Sequence, residues 1–192
     1  MNSIMLKIVL TGLISVAVLS CNNQETSESQ RKDGIKPSAE SGPTMPLSYE
    51  HLKELEWLVG KWEDKGDGGG IRVTSTYEWD QEKNFLLQQF TVKKENKKTL
   101  EGKQIIAFDP IRMKIRSWIF NSEGGFGESF WSREGNSWYS VLAFTTGDGR
   151  VASATHVYTK IDSDHYTFAS FARSIDGKIL PNIDPIMETR VK

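Results

Sequence analysis

Residues 55–64 read LEWLVGKWED, and this stretch decides the fold because its apolar pattern changes half-way along. In its first half the apolar residues recur at helical spacing, and from Gly60 onward they alternate as in a strand. We therefore predict a short amphipathic helix over residues 49–59, with Ser48 as its N-cap. Gly60 permits a sharp change of direction, and Trp62 then enters the first strand.

The rest of the chain reads as a run of short strands separated by turn residues. Glycine, aspartate, asparagine and proline interrupt the alternation about every eight to twelve residues, which is typical of antiparallel strands joined by tight turns. The predicted strands are 61–65, 71–79, 85–93, 99–108, 114–120, 126–133, 138–145, 150–160, 165–173 and a last one within 187–192. No helical segment is long enough for the crossover that a parallel sheet needs.

An open meander of this length would leave two unpaired edges, which closure into a barrel removes. The fold class that we predict is therefore all-β, an antiparallel up-and-down barrel of about ten strands with a short N-terminal helix. A barrel of this size can enclose side chains and one small ligand.

The N-terminus predicts an export signal over residues 1–20. A basic residue, Lys7, precedes an apolar core at 8–19, and this core is shorter than the roughly 20 residues that span a bilayer. The sequence VLSC at 18–21 resembles the bacterial lipobox, which implies acylation of Cys21, cleavage before it and anchoring to a lipid bilayer. An ordinary export signal followed by a chance cysteine is the alternative. Cys21 is the only cysteine, so no internal disulfide is expected.

Residues 21–48 are rich in Ser, Glu, Gln, Gly and Pro, and such a segment buries too little apolar surface to fold. We interpret it as a disordered tether that leads to one barrel domain at 49–192. The formal net charge is −1 and no basic stripe is present, so no nucleic-acid partner is expected. The lysine pairs at 93–94 and 97–98 flank a turn, and we interpret them as an exposed hairpin tip.

A Gly-x-Trp at the start of the first strand, here Gly60 and Trp62, resembles the calycin superfamily of lipocalins, fatty-acid-binding proteins and nitrobindin-like barrels. The resemblance implies that Trp62 points inward and fills the closed end. It also implies a basic residue packed on that tryptophan, for which Arg190 and Arg173 are both candidates. The Thr-Asp-Tyr turn motif of true lipocalins has no equivalent here.

Nitrobindin-like barrels bind haem through a histidine, so a haem held by His156 or His165 is an alternative to our expectation of no cofactor. We interpret both histidines as residues of the strand surface or rim. No cluster of cysteine and histidine predicts a metal site.

Four longer stretches resemble a family of uncharacterised bacterial secreted domains, in which many relatives carry a SnoaL-like domain ahead of this one. These stretches are LEWLVGKWED, AFDPIRMKIRSWIFNSEGGFGESFW, GDGRVASATHVYT and ARSIDGKILPNIDP. The family has no established activity, so the resemblance supports the fold and leaves the role open.

The segment 114–133 holds the most suggestive side chains. Alternation places Arg116, Trp118 and Phe120 on one face of a strand, and Glu128 and Phe130 on one face of the next. If these faces are internal, an ion pair among aromatic rings is a polar anchor in an apolar cavity, as in small-ligand sites. If they are external, Arg116 and Glu128 form a cross-strand surface pair.

We therefore expect a lipoprotein of the bacterial cell envelope, facing the periplasm or the exterior, whose barrel binds a small apolar or amphipathic ligand. The alternative is a non-catalytic accessory module with a solid core that binds a protein. No motif predicts a catalytic residue, and an isomerase-like activity would rest on analogy alone. The candidate ligand-lining residues are Trp62, Arg116, Trp118, Phe120, Glu128 and Phe130.

Overall fold

A computed structural model describes residues 47–64 and 70–192. The predicted export signal, Cys21 and nearly all of the predicted tether lie outside the described residues. Helix α1 spans Leu47–Leu52 and continues as a 3₁₀ helix over Lys53–Leu58, which confirms the short N-terminal helix. Ser48 is not its cap, because it lies inside α1 and its hydroxyl donates a hydrogen bond to Asn84 Oδ1 at 2.6 Å.

Eleven strands follow the helix, and ten of them match the predicted ones to within a few residues at most ends. Their bounds are β1 Gly60–Asp64, β2 Ile71–Trp79, β3 Phe85–Lys94, β4 Lys97–Asp109, β5 Lys114–Asn121, β6 Phe126–Glu134, β7 Ser137–Thr145, β8 Val151–Lys160, β9 His165–Ile175, β10 Lys178–Ile179 and β11 Ile183–Val191. The two-residue β10 was not predicted, and β11 begins earlier than the sequence pattern suggested.

The strands close into a barrel, as predicted. Each strand from β1 to β8 pairs antiparallel with the next, and β11 lies between β9 and β1. The ring therefore has ten strands, and β10 is a short addition on β9. Closure pairs the backbone of every strand in the ring on both sides, so the large apolar sheet presents no free edge.

Strand β11 begins early because a bulge accommodates its proline. The register with β9 shifts between Ile183 and Ile186, which brackets Asp184 and Pro185. Proline has no N–H to donate, and bulges are among the few places where a strand tolerates it. Pro185 is thus part of a strand.

The N-terminal helix closes one end of the barrel with apolar side chains. Leu52, Leu55 and Leu58 are completely buried, and so is Trp62 on β1. The indole N–H of Trp62 donates to the Leu58 carbonyl at 2.6 Å, and its ring meets Tyr166 edge-on at 4.8 Å. Complete burial of each large apolar side chain contributes roughly 1.5–3 kcal/mol to the hydrophobic free energy.

Arg190 on β11 packs on the outer side of this closure. Its guanidinium carbon lies 4.1 Å from the centre of the Trp62 ring. Its nitrogens donate to the Trp57 carbonyl at 2.9 Å and the Val59 carbonyl at 2.5 Å. Of the two candidate arginines, the structure selects Arg190. Gly60 has a φ of 121° and lies against this guanidinium, so a side chain there would be strained and would displace Arg190.

Candidate functional site

Buried polar side chains occur on every strand of the ring. Each of the ten ring strands contributes one of them, and β9 contributes Arg173 in addition. We call the ten the polar girdle: Asp64, Ser75, Gln88, Gln104, Ser117, Ser129, Ser140, His156, Ser170 and Glu188. Polar groups in a barrel interior are costly unless they are hydrogen-bonded, so their partners show what the girdle does.

From β4 to β7 the girdle is a continuous chain of hydrogen bonds. Gln104 Nε2 donates to Ser117 Oγ at 2.7 Å, and the Ser117 and Ser129 hydroxyls lie 2.7 Å apart. Ser140 Oγ donates to Ser129 Oγ at 2.8 Å. The indole N–H of Trp131 also donates to Ser117 Oγ, at 2.9 Å. We call Gln104, Ser117, Ser129 and Ser140 the paired arc.

From β8 to β11 the girdle has polar atoms without partners. Among the described residues, His156 Nε2, Ser170 Oγ and Glu188 Oε2 are buried and make no hydrogen bond. His156 lies directly opposite Ser140 on β7 and Ser170 on β9. These residues therefore follow the paired arc round the barrel, but the chain of hydrogen bonds ends at Ser140. We call His156, Ser170 and Glu188 the unpaired arc.

A cavity of about 110 Å³ lies beside the unpaired arc. His156 and Glu188 are in its wall, together with residues of the girdle on β1 to β4. The remaining wall is aromatic or aliphatic and consists of Val73, Tyr77, Phe90, Val92, Ile119, Tyr158, Tyr166, Phe168, Ile183 and Ile186. An apolar chamber with a few convergent polar groups is the usual form of a small-molecule site.

Burial changes the charge of the groups that face the cavity. Desolvation, with a smaller contribution from the carboxylate of Asp64 on the adjacent strand, raises the pKa of Glu188 from 4.5 to about 8. Desolvation and the nearby Arg173 lower the pKa of His156 from 6.5 to about 4. Burial also raises the pKa values of Tyr77, Tyr158 and Tyr166. Near neutral pH these five groups are therefore uncharged.

Asp64 holds its place through the backbone, since its Oδ1 accepts a hydrogen bond from the Val73 N–H at 2.9 Å. Arg173 is buried near the other end of β9 and donates to the Pro181 carbonyl. Groups with pKa values moved so far by burial are concentrated at functional sites in proteins, which supports the cavity as the candidate site.

Five of the six predicted lining residues lie on the outer face of the barrel. On β5 the buried positions are Ile115, Ser117 and Ile119, so the alternating residues Arg116, Trp118 and Phe120 point outward. The same alternation on β6 turns Glu128 and Phe130 outward. Trp62 is internal, but it fills the closed end and is not part of the cavity wall.

These outward residues form a surface cluster. It contains the cross-strand pair of Arg116 and Glu128 that the sequence predicts if these faces are external. Arg116 makes an ion pair with Glu128 and lies 3.7 Å from Asp109 Oδ2. Its guanidinium carbon is 4.9 Å from the Trp118 ring centre and 5.4 Å from that of Phe130. Phe120 beside them is 49% exposed.

The two histidines differ in position, and one expectation was wrong. His165 lies at the rim, 40% exposed, with Nδ1 3.0 Å from the Asp162 carboxylate. His156 points inward and is buried, with its ring 5.2 Å from Phe168. The sequence signal that identifies His156 as internal is its spacing of two from Ala154 and Tyr158, which are also buried.

No protein-family model and no curated protein matches the chain. The site is therefore interpreted from its own geometry. Within residues 47–64 and 70–192, neither helical segment has the length and apolar character needed to cross a bilayer. In the same ranges, no three side chains of the metal-binding types converge. The haem alternative remains a prediction.

Proposed function

We propose that this protein binds one small, partly polar molecule inside its barrel. The observation that carries the proposal is the cavity of about 110 Å³ whose wall includes His156 and Glu188, two residues that each have a buried side-chain atom without a hydrogen-bond partner among the described residues. Leaving a buried donor or acceptor unbonded costs roughly 1–3 kcal/mol. A ligand that supplies the missing hydrogen bonds recovers that free energy when it binds.

We also propose that the barrel is of the calycin type and is held at a membrane of the bacterial cell envelope through an acylated Cys21. The contact between Trp62 and Arg190 at the helix-covered end supports the first part. The lipobox-like sequence at 18–21 supports the second. In this arrangement the protein is a tethered carrier or sensor rather than an enzyme.

The alternative, a solid-cored module that binds a protein partner, has one observation in its favour. Phe120 and Phe126 lie opposite each other on the outer face and are 49% and 54% exposed. The cavity favours ligand binding, because the alternative expects an interior filled by side chains.

Native mass spectrometry of the protein purified from its own host tests the proposal. We expect an additional mass from a retained small molecule. Ile186→Trp places a large ring in the cavity wall and should abolish retention. Met187→Trp is the matched control, because it adds the same ring at the next position, which is 43% exposed. Absence of any retained molecule, or equal retention by both variants, contradicts the proposal.

A further inference from the structure

We propose that the cavity binds a small organic cation, an ammonium group on a short apolar body, and that Asp64 and Glu188 together bind the ammonium group. This inference rests on the proposed function and adds the chemical class of the ligand. It comes from three features of the cavity: two carboxyl side chains opposite each other in its wall, the absence of lysine and arginine from the described residues of that wall, and the aromatic rings beside the carboxyl groups.

The two carboxyl side chains are direct neighbours across the pairing of β1 with β11. Asp64 is the register partner of Glu188, and both residues belong to the cavity wall, where they are 4% and 5% exposed. Residues directly opposite each other on antiparallel strands have Cβ atoms roughly 5 Å apart, so one small head can reach both carboxyl groups. Like charges at such a position repel each other, and a cation bound to both removes that repulsion.

The carboxyl oxygens have the capacity to accept hydrogen bonds from such a head. Glu188 Oε2 is buried and has no hydrogen-bond partner within the described part of the chain. Asp64 Oδ1 accepts a hydrogen bond from the Val73 N–H at 2.9 Å, and a carboxylate has about four lone-pair positions in all. An ammonium group has N–H donors and no acceptor, so it suits a site made of carboxyl oxygens.

The charges of the wall favour a cation over an anion. Its described residues include the carboxyl groups of Asp64 and Glu188 but no lysine or arginine, and the buried Arg173 is not among them. The one other basic side chain in the wall is His156, and burial lowers its pKa to about 4, which leaves it uncharged near neutral pH. A cation is therefore attracted to the wall, whereas a carboxylate is repelled.

The aromatic rings reduce the cost of burying the cation. An ion pair in a protein interior is costly because both ions lose water. Here folding has already removed the two carboxyl groups from water, so binding adds the desolvation of the ammonium group alone. Tyr166 lies directly opposite Glu188 on β9, and Tyr77 and Tyr158 belong to the same wall. Aromatic rings attract cations, so these residues offset part of that desolvation.

The apolar wall and the volume define the remainder of the ligand. Phe90, Val92, Ile119, Ile183 and Ile186 are also part of the wall and offer only hydrocarbon. An engineered apolar cavity of roughly 150 Å³ in another protein holds benzene. A cavity of about 110 Å³ therefore accommodates a body smaller than one aromatic ring, such as a short alkyl chain.

Probes of equal size that differ in the head test the inference: butylammonium, butan-1-ol and propanoate. Isothermal titration calorimetry on the purified protein, freed of retained ligand, gives the affinity for each at about pH 7. We expect butylammonium to bind tightest and butan-1-ol about tenfold more weakly, because hydrogen bonds between charged groups are roughly twice as strong as neutral ones. Propanoate should bind at least about 100-fold more weakly than butylammonium, because its charge would be buried beside like charge.

The outcomes separate this inference from the proposed function. If butan-1-ol or propanoate binds as tightly as butylammonium, the inference about the cation is overturned while the cavity remains a binding site. If none of the probes binds at its solubility limit, the inference is overturned as well, and the retention of a molecule from the host decides the proposed function separately.

Two variants locate the ammonium group. Glu188→Gln and Asp64→Asn each remove one carboxyl group with little change of size, and each should reduce the preference for butylammonium over butan-1-ol from about tenfold to about twofold. Glu63→Gln is the matched control, because it removes a carboxylate at the next position of β1, where the side chain is 40% exposed, lies near Lys61 and is not in the cavity wall.

The control should keep the full preference. An unchanged preference in both wall variants, or an equal loss in Glu63→Gln, overturns the inference. The probe series on the unaltered protein tests it even if Asp64→Asn does not fold.

Discussion

The paired and unpaired arcs of the polar girdle have similar burial but opposite hydrogen bonding. Ser129 in the paired arc is 1% exposed and accepts or donates bonds to the serines on both neighbouring strands. Ser170 in the unpaired arc is completely buried and its hydroxyl has no partner within the described residues. The same residue type, buried in the same girdle, thus has two different roles.

The difference shows how one barrel interior combines stability with binding. A chain of satisfied hydrogen bonds fixes four strands relative to one another, and such networks specify a unique packing. Unbonded atoms beside a cavity contribute nothing of this kind and leave free energy to be recovered by a ligand. Four predictions, from the largest expected effect to the smallest, test whether the two arcs differ in this way.

The largest effect concerns pH, because both titrating groups of the girdle's unpaired arc are perturbed. The pKa of Glu188 is about 8 in the folded state against 4.5, so between these values the folded state keeps a proton that the unfolded chain loses. Stability then falls as pH rises, by about 1.4 kcal/mol per unit. The pKa of His156 is about 4 against 6.5, so stability falls as pH decreases through that window.

The two slopes cancel between pH 4.5 and 6.5 and leave a decline between pH 6.5 and 8. Urea unfolding at intervals of pH measures this, and Glu188→Gln should abolish the decline. Glu78→Gln, at an exposed position of β2, serves as the control and should keep it. A decline that persists in Glu188→Gln shows that Glu188 is not the group responsible.

The second effect is on the centre of the paired arc. Ser117→Ala removes the acceptor shared by Gln104 and Trp131 and leaves both N–H groups buried without a partner. We expect the free energy of unfolding to fall by about 2 kcal/mol. Ser132→Ala, at an exposed position of β6, should change it by less than about 0.5 kcal/mol. Equal losses would mean that the hydrogen-bond chain adds no stability.

The third prediction compares one substitution in the two arcs. Ser129→Ala breaks bonds to Ser117 and Ser140 and should cost about 1–3 kcal/mol. Ser170→Ala breaks none, so the free energy of unfolding should remain within about 0.5 kcal/mol of the original value or rise slightly. Urea unfolding of the two variants measures this difference. A larger loss of stability for Ser170→Ala than for Ser129→Ala would contradict the division into a paired and an unpaired arc.

The smallest effect concerns an ion pair outside the girdle, with which the effects inside the girdle can be compared. Arg116 and Glu128 form an ion pair whose side chains are 22% and 43% exposed. A double-mutant cycle with alanine at both positions should give a coupling of about 0.2–1 kcal/mol that weakens as salt is added. A coupling free energy several times larger would contradict this prediction, because the outer pair would then stabilise the fold as much as the hydrogen bonds of the paired arc.

The sequence was sufficient to predict the barrel because strand alternation and turn residues are local signals. Turns such as Glu95-Asn96, where both residues have positive φ, fix hairpin register without reference to distant parts of the chain. The choice between Arg190 and Arg173 as the residue packed on Trp62 depends on contacts between distant parts of the sequence. Arg190 reaches the Trp57 carbonyl from the far end of the chain, and only the closed ring brings them together.

The candidate lining residues of β5 depended on one of two readings that the sequence left open, in which the aromatic face of this strand is internal; the structure turns that face outward. Trp118 and Phe120 outweigh Ser117 in apolar area, yet Ser117 lies inside. Its partners are on β4 and β6, and hydrogen bonds across strands make a buried serine stable in a way that one strand's composition does not show. The isoleucines two residues to either side, Ile115 and Ile119, are buried with Ser117, and their alternation indicates the correct internal face.

The seam between β1 and β11 joins the earliest and the latest of the described strands, with Lys61 opposite Val191. In a polypeptide that emerges N-terminus first, β1 stays paired on one side only until β11 has emerged. Contacts this distant in sequence slow folding. Loss of β11 alone would leave the facing edges of β1 and β9 unpaired at once, so the integrity of the ring depends on Ile183–Val191.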